Sequence, residues 1–66
     1  MNLLINGSAQ QFQNISTVAD LIRVLGYAGR RVAIERNGDI VPRSQHTRVQ
    51  LADNDEIEIV VAVGGG

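Results

Sequence analysis

The chain has no cysteine, no lysine and no tryptophan, and only two aromatic residues, Phe12 and Tyr27. Without cysteine, no disulfide can reinforce a small core, and no thiol can act as a nucleophile or a metal ligand. Without lysine, the chain cannot build side-chain-linked polymers of itself, and the N-terminal amine is its only nucleophilic amine. These absences argue against thiolate chemistry, a cysteine metal site and self-acylation.

Long apolar runs are also missing. No stretch of 18 apolar residues is present, and no basic segment leads into a hydrophobic one, so we expect neither a membrane span nor a signal peptide. Seven acidic residues face six basic ones, all arginine, for a net charge of -1. This balance argues against nucleic acid as the main partner. We therefore expect a cytoplasmic protein that is a monomer when alone.

What remains is a composition typical of a small globular domain, with 44% apolar and 20% charged residues in 66 positions. A chain of about 60 residues buries only about 60% of its unfolded surface, so it has room for one core. We therefore predict a single domain over residues 1–66.

Two Asn-Gly pairs, at 6–7 and 37–38, indicate tight hairpins because both residues tolerate positive φ. The first pair joins a strand at 2–5 to a returning segment at 8–14, with Phe12 as its inward anchor. The second joins a strand around 32–35 to a short strand at 39–41. Pro42 follows, and we expect it to end that strand or to place it at an edge.

Between the hairpins the apolar period changes from strand to helix. A stripe at positions i, i+3, i+4 and i+7 consists of Val18, Leu21, Ile22 and Leu25. Thr17 is placed to cap this helix, Asp20 to interact with its N-terminal dipole, and Gly26 to end it in left-handed geometry. The pattern predicts one helix of about two turns.

The last predicted strand, residues 56–63, has one apolar face and one mixed face. The first contains Ile57, Ile59, Val61 and Val63; the second contains Glu56, Glu58, Val60 and Ala62. One helix covers one face of one sheet, so we predict a two-layer α+β arrangement. In the preceding loop we expect core contacts from Val49 and Leu51.

No metal or catalytic site is apparent in that loop. His46 has no second ligand or nucleophile near it in sequence, and we interpret it as a solvated loop residue. The acids between 53 and 58 lack the spacing of a calcium-binding loop, and turn chemistry accounts for them. No acid, base and nucleophile occur together, so we do not expect an enzyme.

The element order, the segments "AIERNGDIVPR" and "LADNDEIEIV", and the Gly-Gly at the end of the chain resemble the sulfur carrier proteins of thiamine biosynthesis, the ThiS family. The resemblance covers essentially the whole chain. It implies the ubiquitin-like β-grasp fold, a mixed sheet packed on one main helix, in which the first and last strands lie parallel at the centre. Gly64 is a departure, because it adds a third glycine.

The resemblance also implies a chemistry for Gly66. In the family, an E1-like partner enzyme uses ATP to adenylate the terminal carboxylate, which becomes a thiocarboxylate and gives its sulfur to thiazole synthase. Gly64 and Gly65 would thread the partner's active site, since residues without Cβ fit a narrow channel. We expect a flexible tail over 64–66. No Gly-rich phosphate-binding pattern is present, so partners would bind ATP and the sulfur donor, and this chain no cofactor.

A docking surface is predicted beside that tail. Val60 and Ala62 point away from the helix, and so does Leu4 if Leu3 and Ile5 point inward. If the first and last strands are neighbours, these three residues form a small apolar patch for the adenylating enzyme and thiazole synthase. We interpret Arg43 and Arg48 as a solvated rim, with charge steering toward an acidic partner as the alternative.

Three other functions stay open at this point. The chain could be a sulfur carrier like the small subunit of molybdopterin synthase, which also ends in Gly-Gly. It could be a protein modifier whose Gly66 forms an isopeptide bond with a target lysine. It could be a passive interaction module, whose function would survive trimming of Gly65 and Gly66.

Overall fold

The structure, a computed structural model, describes residues 1–62. The predicted tail at 64–66 and Val63 lie outside the described residues. The elements, in chain order, are β1 (Asn2–Ile5), β2 (Ser8–Gln11), α1 (Val18–Val24), β3 (Val32–Arg36), β4 (Asp39–Val41), a 3₁₀ turn (Arg43–Gln45) and β5 (Asp55–Val61). The turn was not predicted. β1 and β4 have their predicted bounds, whereas β2 is shorter than the predicted segment 8–14, β3 is one residue longer, and β5 begins one residue earlier and ends at Val61.

All five strands form one sheet in the order β2-β1-β5-β3-β4. The β1–β5 pair is parallel, whereas the other three pairs are antiparallel. The structure confirms the two-layer α+β prediction, with the first and last strands as neighbours and β5 at the centre. β4 lies at an edge, where the ladder needs no donor from Pro42.

Both Asn-Gly turns have the backbone that their sequence predicts. The φ angles are 50° and 82° at Asn6 and Gly7, and 52° and 88° at Asn37 and Gly38. Two successive positive φ values give a turn whose twist matches that of the flanking strands. The two predicted hairpins are therefore confirmed.

The α1 helix begins with a complete capping box. The Thr17 hydroxyl accepts a hydrogen bond from the Asp20 amide at 3.2 Å, and the Asp20 carboxylate accepts from the amides of Ser16 and Thr17 at 2.8 and 3.0 Å. The bond from Ser16, followed by that from Thr17, lowers the pKa of Asp20. At the other end Gly26 has a φ of +82°, so the predicted start and stop signals are confirmed.

The core lies between α1 and one face of the sheet. Val18 and Leu21 of the helix are fully buried, and they meet Leu3, Ile34 and Ile57 from the three central strands. Leu51 is buried, and Phe12 and Val49 pack against this core, as predicted. The opposite face of the sheet has no helix on it among the described residues.

His46 is not the solvated residue that we expected, since it is only 9% exposed. The 3₁₀ turn directs it inward, where its Nε2 lies 3.2 Å from the carbonyl oxygen of Val41. Its own carbonyl oxygen accepts a hydrogen bond from the Ala19 amide at 2.8 Å. His46 thus joins α1 to the end of β4. The sequence around His46 carries no signal for either contact.

The helix is short, at seven residues. Across residues 1–62, no helix is long and apolar enough to cross a membrane. The same residues contain no group of three or more His, Asp or Glu side chains that could hold a metal ion.

Candidate functional site at the end of the central strand

The central strand leads directly to the predicted reactive residue. Val61 pairs with Val32 of β3, and the Ala62 amide donates to the Arg31 carbonyl at 3.0 Å. The chain is therefore still bonded to its neighbour at the last described position. The predicted modification site Gly66 and the predicted threading residues Gly64 and Gly65 lie outside the described residues, only four positions or fewer beyond this bond.

A buried carboxylate holds the opposite end of β5. The Asp55 carboxylate accepts from Arg36 Nε at 2.7 Å, Asn37 Nδ2 at 3.0 Å and the Ala52 amide at 2.8 Å. Burial opposes ionisation of this group, but the three hydrogen bonds outweigh it and hold the pKa of Asp55 below its ordinary value. The sequence interpretation assigned Asp55 to a turn and missed its contacts with Asn37 and Arg36, which are 18 and 19 positions away.

Asparagine side chains from both hairpins clamp β5. Asn37 Oδ1 accepts from the backbone amide of Glu56 at 2.9 Å, while the backbone amide of Asn37 donates to the Glu56 carbonyl at 2.8 Å. On the other side, Asn6 Oδ1 accepts from the Ile59 amide at 2.7 Å, and Asn6 Nδ2 donates to the Ile59 carbonyl at 3.1 Å. The two turn asparagines thus extend the hydrogen-bond ladders on both sides of β5. The Asn-Gly pairs in the sequence predict the turns but not these contacts.

The strand register separates the residues of the predicted docking patch. Leu4 is opposite Glu56, whereas Val60 lies four positions further along β5, opposite Ala33. At about 3.3 Å per residue, the two rows are about 13 Å apart, with Glu58 between them on the same face. Val60 is 66% exposed and Ala62 is exposed, while Leu4 is half-buried. The structure places Val60 and Ala62 at the last described residues of the chain and Leu4 apart from them, and their docking role stays a prediction.

A groove of about 500 Å³ opens at the tail end of β5. It is lined by Val60 of β5, by Ala62 just after that strand, by Ala19 and Ile22 of the helix, and by Tyr27 of the loop that follows the helix. Its charged lining residues are Arg30, Arg31 and Arg43. Arg43, predicted as a rim residue, is exposed and lines this groove, whereas Arg48 is exposed and does not.

Comparison with known proteins assigns the family. The model of the ThiS family matches residues 3–66. A thiazole synthase of Paramagnetospirillum magneticum is 46% identical over all 66 residues, which are 20% of that protein, so the chain spans about a fifth of this relative. The Bacillus subtilis sulfur carrier protein ThiS is 35% identical, over 97% of this chain and 98% of its own.

Solved structures agree with this assignment. The crystal structure of a thiamine biosynthesis protein (ThiS) from Geobacter metallireducens superimposes with a TM-score of 0.82 at 30% identity, covering 100% of both chains. A solution structure of a thiamine biosynthesis protein from the same organism also gives a TM-score of 0.82 and is covered to 88%. Since the family match reaches Gly66 and the central strand leads to it, the chain belongs to the ThiS family of sulfur carrier proteins in thiamine biosynthesis and has their ubiquitin-like β-grasp fold.

Proposed function

We propose that this chain carries sulfur as a thiocarboxylate on Gly66. A partner enzyme transfers AMP from ATP to the Gly66 carboxylate and releases pyrophosphate. A sulfur nucleophile then displaces AMP, and the resulting thiocarboxylate delivers its sulfur to thiazole synthase. The observation that carries this proposal is the family match through Gly66, which follows the central strand β5 by five positions in the sequence.

The proposed activation follows from the chemistry of a carboxylate. At pH 7 the group is ionised and has no leaving group, so sulfur cannot displace an oxygen until ATP supplies an adenylate. The mixed anhydride reacts with water, and the activating site must therefore enclose it. Glycines at 64–66 suit such a site, because the enclosing walls can approach a chain that has no Cβ atoms.

Thiazole synthase is the proposed acceptor of the sulfur. Two relatives named thiazole synthase, from Paramagnetospirillum magneticum and Magnetococcus marinus, contain a stretch that is 46% and 36% identical to this whole chain. In each, that stretch is 20% of a longer protein. A carrier-like segment within a thiazole synthase supports a direct encounter between carrier and synthase.

Intact-protein mass spectrometry tests the carrier chemistry. The chain is incubated with ATP, an adenylating enzyme that acts on a ThiS protein, and a sulfur donor. We expect a mass increase equal to replacement of one oxygen by sulfur, which fragmentation places at Gly66. A chain extended by one alanine after Gly66 is the matched control, and it should stay unmodified. An unchanged mass, with the enzyme active on another carrier, would contradict the proposal.

The same preparation tests the acceptor. Loaded carrier is mixed with thiazole synthase and its other substrates, and we expect the thiocarboxylate to revert to the carboxylate as thiazole forms. Turnover with molybdopterin synthase instead would assign the carrier to that pathway. Cleavable high-mass adducts in cell extracts would identify a protein modifier.

A further inference from the structure

The charged side chains that line the groove at the tail end of β5 are all positive. Arg30, Arg31 and Arg43 line it, all three are exposed, and no Asp or Glu of residues 1–62 belongs to its lining. Residues 1–62 form two ion pairs, one between Arg23 and Asp20 and one between Arg36 and Asp55, and neither involves a groove arginine. The three groove arginines thus have no carboxylate within 4.0 Å in the described part of the chain.

The acidic residues of the sheet lie outside the lining of the groove. On the face opposite the helix, Glu56 of β5 lies beside Leu4 of β1. Two residues further along β5, Glu58 lies beside Glu35 of β3. Further toward the tail, Val60 lies opposite Ala33 in a row without charge. The face therefore changes from acidic to apolar along β5 and reaches the arginine-lined groove, so the net charge of -1 conceals two regions of opposite sign.

The groove also offers apolar surface between its charges. Val60 is 66% exposed, and Ala62 and Ala28 are exposed beside it. Interfaces of this kind combine a desolvated apolar centre with a polar rim that orients the partner. The complementary surface is a peptide segment in which carboxylates surround one apolar side chain.

We propose that this groove docks an acidic, apolar-centred segment of the enzyme that activates Gly66. This inference rests on the proposed function for the identity of the partner, but not for the chemistry of the groove. Ala62 lines the groove, and Gly66 follows four residues later, so a chain length of at most about 14 Å separates these two residues. Docking there would align the partner's channel with the tail, and the acidic rows would repel the segment from the rest of the face.

Peptide binding tests the chemistry without any enzyme. The probe is a pentapeptide with four glutamates around a central phenylalanine, and its control has glutamine in place of each glutamate. In NMR titrations of the full chain, we expect the acidic peptide to change the amide chemical shifts of Arg30, Arg31 and Val60. We also expect added salt to weaken binding of the peptide. Shifts that are absent, spread over the whole surface or equal for the two peptides would overturn the proposal.

Adenylation kinetics test the place of docking. The variant Arg30→Glu/Arg43→Glu is compared with Arg23→Glu/Arg48→Glu, which has the same charge change outside the groove. We expect the groove variant to raise the carrier's KM for ATP–pyrophosphate exchange about ten-fold relative to the control, with kcat retained, because rim charges act on encounter and orientation. Equal KM values in the two variants would overturn the proposal. Circular dichroism checks that both variants are folded.

The two arms separate this inference from the function on which it rests. If the wild-type chain is not adenylated, the carrier proposal fails, and the peptide titration still decides whether the groove binds acidic segments. If the wild-type chain is adenylated with the same KM in both variants, the carrier proposal stands and the groove proposal fails.

Discussion

The two ends of β5 are held in different ways. At its start, Asp55 is buried and bonded by three donors, and asparagines from both hairpins continue the ladders as far as Ile59. At its end, Val60 and Ala62 are exposed. Contacts that stabilise the fold thus concentrate away from the tail, and substitutions at the two ends should separate stability from recognition.

The largest effect on stability is expected from Ile57→Ala. Ile57 is 1% exposed at the centre of the core, and truncation of such a side chain costs about 2–5 kcal/mol in lost burial and in the cavity it leaves. The free energy of unfolding from urea titrations measures the loss. A cost below about 1 kcal/mol would contradict the central position of β5 in the core.

Asp55→Asn should have the next largest effect, a loss of about 1–3 kcal/mol at pH 7, because it weakens charge-assisted bonds in a buried position. Its pH dependence has a defined sign. Folding lowers the pKa of Asp55 below 3.8, so the ionised carboxylate stabilises the folded state at pH values above 3.8. This stabilisation is lost as the pH falls through the folded-state pKa.

The difference in unfolding free energy between the wild type and Asp55→Asn should therefore be constant above pH 3.8 and shrink below it. Denaturation curves at several pH values check this trend. A difference that grew on acidification would show that the network does not favour the ionised form.

A smaller effect is expected from Asn6→Asp. The substitution keeps the shape and the acceptor but replaces the Nδ2 donor by an oxygen facing the Ile59 carbonyl, at a cost of about 1 kcal/mol. Asn14→Asp is the matched control, since Asn14 also has positive φ, at 60°, and its side chain has no hydrogen bond among the described residues. Equal melting temperatures for the two variants would mean that the clamp contributes nothing.

Val60→Ala should have the smallest effect on stability, within about 0.5 kcal/mol, because the side chain is exposed beyond the clamped half of the strand. Thermal unfolding measures it. The same variant should weaken capture of the acidic peptide, and it thereby tests whether the two ends of β5 have separate roles. A large loss of stability would show that the groove is part of the core.

Much of the fold was predictable from local patterns. The Asn-Gly pairs located both hairpins, and the stripe from Val18 to Leu25, with Thr17 and Gly26 at its ends, located the helix. These signals act over a few residues, through φ preferences, capping and the period of apolar side chains. The parallel placement of the first and last strands came from the family resemblance, and the structure confirms it.

The candidate site was predictable only in part. Gly66 and its proposed chemistry follow from the resemblance, and Val60 and Ala62 from the alternation of β5. The separation of Leu4 from them depends on the register of the parallel pair, which alternation does not specify. His46, taken as solvated, is buried because the 3₁₀ turn directs it toward Val41, which lies in a different element.

By itself, the sequence determined the helix and the five strands, the two Asn-Gly turns, the lack of cysteine and, through resemblance, the family. Only the tertiary structure decided which polar residues hold β5, where Leu4 lies relative to Val60, and that three arginines, two from the loop after α1 and one from the 3₁₀ turn, line one groove. The physical reason is range. Local patterns encode interactions between near neighbours, whereas Asp55 with Arg36, Asn6 with Ile59, and Arg31 with Arg43 come together only when strands distant in sequence pair in one register.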